Sequence, residues 1–257
     1  MLFSAVTRIA CAFFLSGALL SNLAPAQQPQ RDAKFPCPEK LAYKVEWRMV
    51  NAGTALVQQA PIDGHGWELN LHVESAGLVS RLYRVLDTYK VQAGEGFCGS
   101  SAVLDAQEGK KHTVTRLRFD AAHKRTEYEE HDLIKGTTKR KELDVSPCTY
   151  EIVGALAALR LNPPEVGKAI TLPVTNGKKL ALAKIQAEDK ESVSAGGKSY
   201  STVRYEAFLF DNVLYRRKGR LFIWLTDDPA HLPVQLQLHL GFPIGNITLQ
   251  LDKREQM

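Results

Sequence analysis

Apolar and polar residues alternate along nearly the whole chain, and a period of two belongs to strands that bury one face. In "KLAYKVEW" (40–47), Leu41, Tyr43, Val45 and Trp47 stand against Ala42, Lys44 and Glu46. "GWELNLHVES" (66–75) repeats the pattern with Trp67, Leu69, Leu71 and Val73. "TYKVQAG", "HTVTRLRFD", "KRTEYEE" and "TTKRKELDV" continue it, with Gly, Asp and Asn marking turns between strands. After residue 168 it resumes through "AITLPVTNGKKLALAKIQAEDKESVSAGGKSYSTVRYEAFLF", where "TNGK" and "SAGGKS" are hairpin signals. So many strands must curl, close or stack to manage their edges. The expected fold class is mainly β: a single curved antiparallel sheet, a half-barrel or open barrel-like form, with one central α-helix. An outer-membrane barrel would need the apolar face outward and a polar lumen. The density of Lys, Arg, Glu and Asp on the second face argues against packing those charges into a lumen of this size.

Two segments break the alternation. "SPCTYEIVGALAALRL" (146–161) reads as the helix, with Ser146 as cap, Pro147 at the first helical position and an apolar stripe of Ile152, Val153, Leu156 and Leu159. "NPPEVG" ends it, because prolines cannot continue a helix. "GLVSRLYRV" (77–85) fits a short helix or a wide connection.

The N-terminus carries one charge at Arg8, an apolar stretch from Ile9 to Leu20 and then Ala24-Pro25-Ala26, the order of a cleavable signal peptide cut after Ala26. Cys11 opens the apolar stretch instead of following it, which does not suit a lipoprotein. Cleavage leaves 231 of the 257 residues and lowers the net charge from +5 to +4. That balance does not indicate a nucleic-acid partner, and no later window is apolar enough to span a membrane as a helix. The basic runs "KRK" (139–141) and "RRKGR" (216–220) suit either solvated turns or phosphate-bearing lipid headgroups. Residues 27–36, polar and proline-bearing, read as a flexible tail.

Without Cys11 the chain keeps Cys37, Cys98 and Cys148, an odd number for an oxidising compartment. Cys98 and Cys148 both flank element ends and are expected to pair, leaving Cys37 free; the alternative is that Cys37 takes part and one of the others is buried.

Chemistry-bearing motifs are sparse. There is no G-x-S-x-G, H-E-x-x-H, C-x-x-C, P-loop or dinucleotide fingerprint. His123 and His131 with Glu127 or Glu130 would form a metal site only if a turn folded them together; a charged hairpin explains them with less. "TDDPAHLP" (226–233) offers Asp227, Asp228 and His231 as an acid/base or cation-binding set. It equally has the composition of a turn into the closing hairpin "VQLQLHLGFPIGNITLQL". No metal and no cofactor are expected.

Four segments carry a resemblance: "FPCPEKLAYKVEWRMVNAGTALVQ", "SAGLVSRLYRVLDTYKV", "RYEAFLFDNVL" and "TDDPAHLPVQLQLHLGFPIGNITLQL". Together they resemble the DUF3108 family of exported bacterial proteins, over nearly the whole chain from residue 37 to 257. The resemblance implies an envelope protein, periplasmic in a diderm bacterium and predominantly β, and supplies no catalytic residues. Cys37 departs from an apolar position in that pattern, in keeping with its being unpaired.

The expected function is that of a non-enzymatic periplasmic binding protein sheltering a lipid or other apolar envelope ligand. Trp47, Trp67, Tyr83, Phe208 and Trp224 are the candidates for lining its site. One alternative is an envelope assembly or scaffold protein that works through protein partners. The other is a hydrolase using Asp227, Asp228 and His231.

Overall fold

The computed structural model describes residues 35–62 and 66–257. The segment expected to be a signal peptide, its cut after Ala26 and the tail up to residue 34 lie outside the described residues. Phe35 is buried and stacks on Phe97 with ring centroids 5.5 Å apart, so the ordered domain begins before the expected tail ends at residue 36.

Among the described residues the alternation is realised as fourteen strands in one antiparallel sheet. A first meander runs through β1 (Glu39–Trp47), β2 (Val50–Pro61), β3 (Trp67–Ser75), β4 (Val85–Ala93), β5 (Gly99–Glu108), β6 (Lys111–Asp120), β7 (Arg125–Asp132) and β8 (Thr137–Asp144). A second runs through β9 (Ala169–Thr175), β10 (Leu180–Ala195), β11 (Lys198–Ala207), β12 (Gly219–Thr226), β13 (Pro233–Leu240) and β14 (Gly245–Gln256). They join where β1 pairs with β14, Glu39 opposite Gln256 and Trp47 opposite Ile247. The sheet's edges are β8 and β9, which are consecutive in the chain. The strand order is therefore that of an up-and-down barrel left open at one seam, as the sequence pattern predicted.

Bulges at Asp252 in β14, opposite Ala42 and Tyr43, and between Ala187 and Lys190 in β10 add local bend and twist to the long strands. The "SAGGKS" hairpin turns on Gly196 and Gly197, both at positive φ (+54° and +74°), the backbone that a two-residue turn between twisted strands requires. Edge strand β8 is exposed along most of its length and carries Lys139, Arg140 and Lys141, charges that discourage pairing with another strand.

Among the described residues there are two helices, where the pattern predicted one and left 77–85 open. α1 (Gly77–Leu82) links β3 to β4, and α2 (Ile152–Leu161) lies in the connection from β8 to β9. α2 begins six residues later than Ser146, and Ser146 does not cap it. The intervening residues are held extended: Tyr150 makes a parallel bridge to Val174 of β9, and Cys148 is bonded to Cys98. Glu151 is the N-cap instead, accepting hydrogen bonds from the backbone N–H of Val153 (2.7 Å) and Gly154.

Three groups of buried side chains form the core. One gathers α2's Leu159 with β9–β12, one lies across the β1–β14 junction, and one surrounds Phe97 on the first meander. Among the described residues no helix is long and apolar enough to cross a membrane.

Candidate ligand cavity beneath the central helix

α2 is fastened at both ends over the apolar face of the sheet. At its start the Cys98–Cys148 disulfide ties the incoming chain to the beginning of β5, and Gly99 donates its N–H to Thr149 O at 2.9 Å. Cys37 is the free cysteine among the described residues. At its end Arg160 is buried: Nη2 meets Glu39 Oε1 at 2.6 Å, Nε donates to His231 O at 2.9 Å, and the guanidinium lies 4.0 Å from the centroid of Phe35. Glu39 also meets Arg254 Nε at 2.9 Å, so one buried carboxylate answers two guanidinium groups.

Between these anchors the helix does not fill the space under it. A cavity of about 160 Å³ remains, walled by Ile152 and Leu156 from α2 and by Leu41, Val57, Leu236 and Leu249 from the sheet. Its walls are almost wholly aliphatic. Leu71, Ile152 and Val153 also border a second space of about 380 Å³, whose lining mixes apolar residues such as Leu104 and Leu117 with hydrogen-bonding ones, among them Tyr89, Tyr128, Thr113 and Glu130. The interior thus changes from apolar toward the β1–β14 junction to mixed apolar and hydrogen-bonding toward β4–β7.

Carboxyl groups around this interior are displaced in opposite directions. Burial pushes Glu151 up to about 7, against the opposing pull of the Val153 and Gly154 N–H groups and the Tyr89 hydroxyl. Burial alone would raise Glu130 too, but hydrogen bonds from Lys178, Tyr128 and Lys139 outweigh it and hold that carboxyl at about 2. Asp87 rises to about 6 through burial and the neighbouring Glu108.

A family model described as "Protein of unknown function (DUF3108)" matches residues 42–252. The chain belongs to this family. No curated protein matches it. Among solved structures, a β-barrel-like DUF1849 protein from Brucella abortus aligns with a TM-score of 0.60 at 9% identity, covering 88% of this chain and 100% of that one. At that identity the likeness is one of fold. A protein from Bacteroides fragilis, assigned as exported and given a YmcC-like fold, aligns at TM-score 0.38 and 9% identity, over 86% of this chain and 96% of that one.

None of the five aromatic residues expected to line a ligand site in this DUF3108 protein borders the aliphatic cavity. Trp47 and Trp67 share the inward face of their strands but sit at strand ends, Trp47 donating to Ile244 O at 2.6 Å and Trp67 packing on Phe97. Trp224 is buried on the face opposite the cavity-lining Ile223, and its Nε1 donates to Glu191 Oε1 at 2.7 Å. Tyr83 and Phe208 lie in connections between strands and are 49% and 40% exposed. The lining belongs to aliphatic residues that the alternation marks as inward but cannot distinguish from close-packed core.

"TDDPAHLP" is used as a turn. Asp227 pairs with Lys190 at 2.6 Å, Asp228 accepts from Thr226 Oγ1 (2.9 Å) and Ala230 N (2.8 Å), and His231 Nδ1 donates to Arg160 O at 2.7 Å. Each side chain serves a different partner, and the three do not converge on one cleft. His123 meets Asp120 at 2.7 Å and His131 meets Thr138 at 2.9 Å, each within its own hairpin. No cluster of three metal-ligating side chains occurs among the described residues.

Proposed function

We propose that this DUF3108 protein is a periplasmic, non-enzymatic binding protein that shelters the apolar part of an envelope ligand between α2 and the concave face of its sheet. The observation that carries this reading is the aliphatic cavity of about 160 Å³ under a helix pinned at both ends. Close-packed interiors leave few voids larger than a water molecule, and an aliphatic void of roughly 150 Å³ stays dry and takes up small apolar molecules. The volume suits one end of an acyl chain or a single ring, and the adjoining, more polar space suits a headgroup. A disulfide that closes the approach to α2 fits an oxidising compartment such as the periplasm.

The test is native mass spectrometry of the protein recovered gently from a bacterial periplasm, followed by extraction and identification of any bound mass. A stoichiometric apolar adduct is expected in the unaltered protein, and its loss in Leu156→Trp, whose indole fills the cavity. A clean apo mass that takes up nothing from an envelope lipid extract would refute the reading.

A further inference from the structure

In a meander, alternate connections fall at the same end of the sheet, and here the two ends differ in kind. The end reached by the β1–β2, β3–β4, β5–β6, β7–β8, β9–β10, β11–β12 and β13–β14 connections is apolar and basic. Met49 and Phe242 at its turn tips are 92% and 95% exposed, and Leu78, Leu82 and Ile134 are exposed in other connections at the same end. Isolated exposed apolar residues are ordinary, but these gather at one end. Ile62, Val166 and Met257 are the exposed large apolar residues toward the other end.

Charge separates in the same direction. Every connection at the apolar end except β13–β14 brings Lys or Arg: Arg48, then Arg81 and Arg84, Lys110, Lys135, Lys178 and Lys179, and the run Arg216-Arg217-Lys218. Asp211 is the single acidic residue within those connections. The described residues of the short connections at the opposite end carry Glu95, Asp227 and Asp228 against Lys124.

The turns at the apolar end are also tied to one another. Arg48 donates from Nε to Ile244 O at 3.2 Å and from Nη2 to Pro243 O, locking the β1–β2 turn to the β13–β14 turn. Gly241 N reaches Lys218 O at 3.4 Å, Gly109 N reaches Arg84 O at 2.8 Å, and Lys179 Nζ donates to Asn212 O. These bonds join the β9–β10, β11–β12, β13–β14 and β1–β2 turns into one series and pair the β3–β4 connection with the β5–β6 turn, and the whole set forms the rim of this end. Trp47 and Tyr83 belong to it with Phe208, and the amphipathic rings of Trp and Tyr are favoured where water meets lipid.

We infer that this rim docks on the surface of an anionic phospholipid bilayer, inserting Met49 and Phe242 among the acyl chains while the surrounding Lys and Arg side chains meet lipid phosphates. Partial insertion of apolar side chains and attraction of a basic patch to anionic lipid are each weak alone and add to a useful affinity together. The more polar space beside α2 reaches the same end through Glu108, Asn176, Lys178 and Tyr215, so a docked protein faces the bilayer with the mouth of its interior. The inference stands on the rim's own residues, whether or not the cavity holds a ligand.

The experiment is co-sedimentation of the processed protein, recovered from a secreting host, with vesicles of phosphatidylcholine alone or mixed with phosphatidylglycerol. Binding is expected to the mixed vesicles, to weaken with added salt, and to fall about tenfold in both the Met49→Ser/Phe242→Ser and the Arg216→Glu/Arg217→Glu variants. Ile62→Ser, toward the opposite end, is the control expected to bind unchanged. A second measurement needs no variant: lipids brominated near the glycerol should quench Trp47 on the rim and leave the buried Trp224 bright. Equal binding to both vesicle types, or rim variants that bind like the unaltered protein, overturns the inference. Loss in the Arg variant alone, with Met49→Ser/Phe242→Ser unaffected and no quenching, reduces the contact to adsorption and overturns insertion.

Discussion

A guanidinium taken out of water must recover its hydration from its neighbours, and Arg160 does so from Glu39, the His231 and Ala230 carbonyls and the face of Phe35. Removing it leaves Glu39 buried with Arg254 as its remaining cation, so Arg160→Ala should cost about 3–5 kcal/mol in urea denaturation. Glu151 makes a pH-dependent contribution of the opposite kind. Folding raises its carboxyl from 4.5 to about 7, so between those values the folded chain holds a proton that the unfolded chain releases. Stability from this group is fully present below the unfolded value and is lost as pH rises toward about 7, by on the order of 3 kcal/mol. Denaturation at pH 5 and pH 8 should show that fall in the unaltered protein and a flatter profile in Glu151→Gln. Neither role was legible from sequence. Arg160 and Glu151 sit in an ordinary-looking helical segment, and their burial depends on partners distant in the chain, Glu39 for one and Tyr89 for the other.

At the scale of elements, α2 is set by its fastenings more than by its own preferences. An added Cβ at Gly154 would lie 2.8 Å from Glu151 Oε1 and 3.0 Å from the Phe97 carbonyl. Gly154→Ala should therefore destabilise the protein by about 1–3 kcal/mol in thermal or urea melts, although alanine is the better helix former. The disulfide closes a sequence separation of 50, and its replacement by Cys98→Ala/Cys148→Ala should cost about 2–4 kcal/mol. A proteolysis time course should show the first new cleavages in residues 146–161, where the chain loses its tie to β5. The strands were the most legible elements, because burial on one face writes itself into a period of two. The start of α2 was misread because Ser146 and Pro147 form a good local cap, while the bridge from Tyr150 to Val174 is a long-range contact that local sequence does not encode.

Over the whole molecule, the open seam between β8 and β9 was within reach of the sequence, since a chain of strands interrupted by one helix suggests a sheet that curls without closing. The cavity was not. A cavity is a shortfall of side-chain volume, and Leu41, Val57 and Leu236 read the same whether the space between them is filled or empty. The large aromatics invite a lining role because they are bulky, yet four of the five sit at strand ends or in connections, and the fifth, Trp224, is buried on the other face of β12. Filling the void in place should stabilise the ligand-free protein: Ala183→Leu, from the sheet wall, is expected to raise the melting temperature by a few degrees while weakening uptake of any apolar ligand.

The pairing of β1 with β14 sets the order of assembly. Each meander is built of neighbours in sequence and can zip as it emerges, but the two halves are sewn together by the first strand and the last. During synthesis the first meander must wait, with β1 an unpartnered edge, until residues 245–256 arrive. A chaperone that recognises exposed strands has a defined interval in which to act, and it ends with the final dozen residues of the sheet.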